Sequence, residues 1–185
     1  MLLFATIIVI FSVVFGLFIL KKLASDGGTL SRCLSIMLPL YLVLILFATL
    51  GLRAEGEQAS INLRIFQAYR GLANQISYHW RTYRWSYNEE QFRIISTGIC
   101  NILLNVALFV PIGYLLPTKL PQKLNRSWKV LLFGFGLSLL IETAQLMTHR
   151  GYFDLDDLFH NTLGTMIGYG LYKIFLSREP KSQND

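Results

Sequence analysis

The sequence predicts an all-α fold, a polytopic membrane helical bundle of about five transmembrane helices. Three observations lead there. The 185 residues are 53% hydrophobic, with a mean hydropathy of +0.45, above the apolar share of about 45–50% usual in soluble domains. The apolar residues gather into blocks close to the about 20 helical residues that cross a hydrocarbon core of roughly 30 Å. Lysines collect in alternate connections between those blocks, as they do in multi-span proteins, while the six arginines between Arg53 and Arg93 argue the other way from a connection of more than forty residues, where the rule loses force.

The blocks run from Leu2 to Leu20, Leu34 to Leu50, about Thr97 to Leu116, Val130 to Met147 and Leu158 to Leu176. The first lacks a positive segment before it, and Lys21 and Lys22 follow it, so it reads as a retained span rather than a cleaved signal. The second is nearly free of polar groups and reads as scaffold. Between spans two and three lies an aromatic and arginine-rich segment, "INLRIFQAYRGLANQISYHWRTYRW", suited to the headgroup level of a bilayer. Its arginines either anchor the bundle or bind an anionic headgroup, since guanidinium matches phosphate in a bidentate way. A helix start is expected at Asn88, with Gln91 at the reciprocal capping position and Glu89 and Glu90 on the N-terminal dipole. Pro117 and Pro121 are expected to end that helix. The whole chain, 1–185, reads as a single integral-membrane domain, with 177–185 a short disordered cytoplasmic tail.

Loop charge sets the expected orientation. Lys21, Lys22 and Arg32 follow span one; Lys119, Lys123, Arg126 and Lys129 follow span three; Arg178 and Lys181 follow span five. Placing these in the cytoplasm puts Met1 outside and Asp185 inside a multi-pass protein of the cytoplasmic membrane. The net charge of +6 is then topological and calls for no nucleic-acid partner. Cys33 and Cys100 form no disulfide or metal-type spacing.

The candidate site comes from the polar exceptions inside the spans. Asn101 and Asn105 are four apart on one helical face, and Pro111 with Gly113 marks a kink in the same helix. Gly134, Ser138, Glu142, Gln145 and His149 follow at 4, 4, 3 and 4, one continuous stripe. Asp157, Asn161, Gly164 and Gly168 follow at 4, 3 and 4, and the last two make a GxxxG packing face. By the expected topology these polar groups, with Arg150 and Asp154 of the short loop between spans four and five, converge at one depth on the outer side. Two readings follow. One is a hydrogen-bonded network that fixes helix register, with Arg150 pairing Glu142 or an aspartate and with Asp156 and Asp157 capping span five. The other is a pocket for binding or catalysis, because an intramembrane acid is costly for packing alone. A divalent cation held by Asp154 and Asp157 is a third, weaker reading of "DLDD". No metal or cofactor is expected, and no nucleophile-elbow, Walker or HExxH pattern is present.

"NILLNVALFVPIGYLL", then "ETAQL", then "RGYFDLDDLFHNTLGTMIGYGL" resemble the VanZ-like membrane proteins. That family shares an Asn-rich helix with Pro-x-Gly, a Glu-x-x-Gln, then an Arg, an Asp and an Asn-x-x-Gly. Upstream, "SINLRIFQAYR" is similar to the family's Asn-Leu-x-Pro-Phe segment, with Ile65 where proline is usual, extending the likeness over about 60–176. Carried over by position, the motif singles out Asn101, Asn105, Pro111, Gly113, Glu142, Gln145, Arg150, Asp157, Asn161 and Gly164. The resemblance implies a cell-envelope protein with an antibiotic-resistance role of the kind directed at the glycopeptide teicoplanin. The expected ligand is a membrane lipid or lipid-linked envelope precursor. Charge recognition is assigned to Glu142, Arg150 and Asp157, orientation to Asn101, Asn105, Gln145 and Asn161. The alternatives are an enzyme modifying such a precursor, with Glu142 or Asp157 as general acid or base, and a structural membrane subunit without a site. The GxxxG face leaves open packing within the chain or in a homo-oligomer.

Overall fold

A computed structural model describes residues 16, 27–51, 60–84, 86, 88–120, 123–124 and 126–176. Span one apart from Gly16, Pro121 and the tail 177–185 lie outside the described residues, as does the side chain of Cys33. The described elements are α1 (Gly27–Leu46), which runs into a π-helical turn (Phe47–Gly51), then β1 (Ile61–Asn62), α2 (Gln67–Tyr83), α3 (Glu89–Lys119), α4 (Ser127–Met147), β2 (Phe153–Asp154) and α5 (Leu155–Leu176). The fold is all-α apart from the short parallel bridge, which sets Ile61 against Phe153 and Asn62 against Asp154. Among the described residues, α3 and α4 are long and apolar enough to cross a membrane, while the apolar run Ile36–Gly51 is shorter.

Helix α3 starts where the sequence expects it. Asn88 accepts from the N–H of Gln91 at 2.9 Å, with Glu89 and Glu90 in the first turn. The reciprocal half of the capping box is not made among the described residues, where Gln91 Oε1 is buried without a hydrogen-bond partner. At the other end, Pro117 does not break the helix, contrary to expectation; α3 continues to Lys119. Proline removes one intrahelical bond, but Leu115 and Leu116 on the same turn are buried against Leu38 and Tyr114. Leu120 N–H then closes the helix on Leu116 O at 2.9 Å. Packing outweighs propensity there.

Helices α3 and α5 run parallel and very close together. A side chain at Gly113 would overlap the backbone of Thr165, one at Gly164 the backbone of Val106, and one at Gly168 the backbone of Val110. The GxxxG face of α5 is thus used within the chain, against α3, with Pro111 buried nearby. Helix α4 approaches α5 from the opposite direction, where Gly134 leaves room for Thr165. Helix α1 is antiparallel to α3: Tyr41 and Ile45 pack with Leu108, Phe109, Ile112 and Ile141, and the buried Tyr41 hydroxyl donates to Leu108 O at 2.6 Å. The same end of the bundle therefore holds the end of α1, the end of α4 and the start of α5.

The aromatic and arginine-rich segment resolves into β1, a turn and α2. Helix α2 buries His79 and lies back along the first turns of α3, with Leu72 against Gly98. Its start needs no proline at Ile65. Phe66 takes a left-handed φ of 64°, and the carboxylate of Asp156, on α5, accepts from Phe66 N–H at 2.5 Å and Ala68 N–H at 2.7 Å. Helix starts leave such N–H groups unpaired, so an acid from another helix is the cap. Asp156→Ala is expected to leave the bundle folded while amide exchange at Phe66 to Arg70 rises by about tenfold or more, as loss of a charged hydrogen bond of roughly 1.5–3 kcal/mol requires. Unchanged exchange there would dismiss the cap.

Candidate functional site

The polar layer is built where α4 and α5 meet. Asn161 Nδ2 donates to Ser138 Oγ at 2.9 Å. One turn nearer the bundle end this antiparallel register sets Glu142 opposite Asp157. Glu142 is 2% exposed, Gln145 1% and Asn161 4%. Glu142 Oε2 accepts from the backbone N–H of Asp154 at 3.1 Å, and Asn105 on α3 donates Nδ2 to Asp157 Oδ1. Gln145 Oε1 and Asn161 Oδ1 are buried with no hydrogen-bond partner among the described residues, each a cost of about 1–3 kcal/mol unless something donates to it.

Two members of the layer reach α1. The π-helical turn leaves the last carbonyls of that helix without intrahelical partners. Gln145 Nε2 donates to Thr49 O at 3.2 Å, and Arg150 Nη1 to Leu50 O at 3.0 Å. A guanidinium at a helix C-terminus also meets the negative end of its dipole.

Asp154 is the N-cap of α5: its Oδ1 accepts from Asp156 N–H at 2.8 Å, and its Oδ2 from Asn62 Nδ2 at 3.1 Å. This corrects the expectation that Asp156 and Asp157 cap the helix, and it moves the helix start from Leu158 to Leu155. Asp156 serves α2 instead. Both Asp154 oxygens accept hydrogen bonds from within the chain, and no group of three or more His, Cys, Asp or Glu suited to a metal occurs among the described residues.

The structure therefore brings together Asn105, Glu142, Gln145, Arg150, Asp154, Asp157 and Asn161. Asn101 is not brought in. It is exposed and makes no side-chain hydrogen bond among the described residues, because it lies one turn nearer the end of the bundle, where α5 has only begun. His149 is exposed with φ 52°, past the end of its stripe.

The sequence names neither Asn62 nor Tyr69 as a site residue and reads His160 as interfacial or structural rather than as a ligand. The Tyr69 hydroxyl lies 2.7 Å from Nε2 of the buried His160, and Phe66 and Phe159 pack edge-on beside them, fastening α2 to α5. Asn62 had a signal in the "NL" of the upstream segment. Above the layer an open groove of about 670 Å³ is lined by Ser60, Ile61, Asn62, Leu63, Arg64, Gln67, Tyr152 and Asp154.

No curated protein and no solved structure matches the chain. The model of the VanZ/LLP1 family matches residues 34–176, from within α1 through the last residue of α5, and so takes in every element of the polar layer and the groove. The chain belongs to the VanZ/LLP1 family.

Proposed function

We propose that the chain is a five-span protein of the cytoplasmic membrane whose polar end faces outward and takes up an envelope component or lipid-linked precursor, in a role that lowers susceptibility to glycopeptides such as teicoplanin. The observation that carries this reading is the coincidence of an open groove with a layer of buried acid and amides, beside a half-buried guanidinium, at one end of an apolar bundle. Loop charge supports the orientation, since Lys119, Lys123, Arg126 and Lys129 lie at the opposite end. An acid buried as Glu142 is in an apolar bundle is costly for packing alone, and such groups mark candidate functional sites.

The test is to express Glu142→Gln and Arg150→Ala chains and measure folded membrane yield and teicoplanin susceptibility together. Glu142→Gln is expected to keep its yield and lose protection. Collapse of yield in both variants favours a purely structural network, and wild-type behaviour of both variants in both assays refutes the pocket. The opposition of Glu142 and Asp157 across the α4–α5 register favours a second reading, an enzyme acting on the same class of ligand with one carboxyl as acid and the other as base. A mass shift in envelope precursors that depends on the chain supports it, and unchanged masses count against it.

A further inference from the structure

The turn between β1 and α2 is unlike the rest of the polar end. Ile61 is 60% exposed, Leu63 64% and Ile65 53%, three apolar side chains held outward on a segment pinned at both ends. The β1–β2 bridge and Asn62–Asp154 fix one end, and Asp156 fixes the other. Its level is that of the first turn of α5, where the apolar bundle gives way to polar residues. Fixed apolar side chains at that level suit the acyl boundary of a bilayer rather than water. Arg64 alternates with them and is exposed, and Arg70 is exposed about one turn into α2. From Ser60 to Asn88 the sequence contains four arginines, Arg64, Arg70, Arg81 and Arg84, and no acid.

Of these residues, Ile61, Leu63 and Arg64 also line the groove. Ile61, Leu63 and Tyr152 give it an apolar wall, and Ser60, Gln67 and Arg64 give it donors. The one acid in the lining, Asp154, is turned to internal work: Asn62 and the Asp156 N–H hold its two oxygens, and it sits on the positive end of α5. Its charge is therefore offset locally, while Arg64 is exposed in the same lining.

We infer that the groove is a lateral entry for a phosphorylated lipid, a prenyl-phosphate-type precursor whose chain lies along Ile61 and Leu63 and whose phosphate is held by Arg64. This rests on the ligand-binding reading above and names its ligand class. Guanidinium takes phosphate oxygens in a bidentate way, which lysine cannot reproduce. The apolar rim makes the chain part of the recognition, so neither phosphate nor chain suffices alone.

The test uses the full chain in detergent micelles, titrated with a polyprenyl monophosphate, the matching polyprenol, phosphatidylglycerol and inorganic phosphate. The prenyl phosphate is expected to bind at least tenfold more tightly than each of the other three. Arg64→Gln is expected to weaken it about tenfold or more, Arg64→Lys less, and Ile61→Ser with Leu63→Ser comparably to Arg64→Gln, all with unchanged melting temperature. Equal binding of polyprenol, of inorganic phosphate or of phosphatidylglycerol overturns the assignment, the last by making the groove a bulk-lipid contact. So does an Arg64→Gln chain that binds as wild type. Cells are challenged with teicoplanin in parallel to keep the two readings apart. Tight, Arg64-dependent binding by a chain that confers no protection removes the resistance role and supports the site; protection by a chain that does not bind the lipid removes the site and keeps the role.

Discussion

A Gly168→Leu chain is expected to reach the membrane in a small fraction of wild-type folded yield, whereas Gly170→Leu, two residues away on the same helix, should be indistinguishable from wild type. The contrast follows from what each new Cβ would meet. At Gly170 nothing lies within 4 Å. At Gly168 the Cβ itself would overlap the carbonyl of Val110, and Gly113 and Gly164 face the backbones of Thr165 and Val106 in the same manner. No rotamer relieves a clash that begins at Cβ and ends on backbone, so α3 and α5 must separate. Overpacking in a close-fitted interior typically costs about 1–3 kcal/mol, and separation adds the loss of neighbouring contacts. Close approach of small residues is itself a stabilising device between such helices. Monodispersity and melting temperature of the purified chain read the effect. A Gly168→Leu chain that matches wild type in both would show that α3 and α5 do not meet as described.

That helix pair shows why part of the site could be read from sequence. Gly134, Ser138, Glu142 and Gln145 are all buried, as their spacing requires if one face of α4 turns inward. Asn161, Gly164 and Gly168 do the same for α5, with Asp157 half-buried at the head of the stripe, and the two stripes meet at Ser138–Asn161. Helical periodicity is a statement about faces, and faces survive into the fold. What periodicity could not supply is the partner of each side chain. Leu50 O, Thr49 O and the N–H groups of Asp154, Phe66 and Ala68 are the groups that Arg150, Gln145, Glu142 and Asp156 bind. Every residue carries a backbone carbonyl and nearly every one an N–H, so these pairings leave no trace in residue type. Asp156 is the clearest case. Its position in a first turn suggests a cap for its own helix, while the structure uses it on a helix that begins 89 residues earlier. Asn101 fails for the opposite reason: its face is right, but the neighbouring helix has barely begun at its level.

The Arg150 substitutions are expected to separate scaffold from site. Arg150→Ala removes the donor to Leu50 O, leaving a carbonyl in a part-buried helix end without its charged partner. Hydrogen bonds to charged groups contribute about 1.5–3 kcal/mol, and the dipole of α1 loses a favourable cation worth about 0.3–1 kcal/mol. The melting temperature of the purified chain should fall by several degrees, and Arg150→Lys should recover only part, because an ammonium lacks the planar fork. Glu142→Gln is a different perturbation. The amide keeps an oxygen able to accept from Asp154 N–H and nearly the same volume, so the turn into α5 should stay in place while the carboxyl is lost. A chain in which Glu142→Gln melts as wild type yet loses protection assigns that carboxyl to the ligand, since the scaffold does not depend on it. If Glu142→Gln instead melts as low as Arg150→Ala, the carboxylate belongs with the guanidinium to the structure that joins α1, α4 and α5, and the groove beside it must account for any binding.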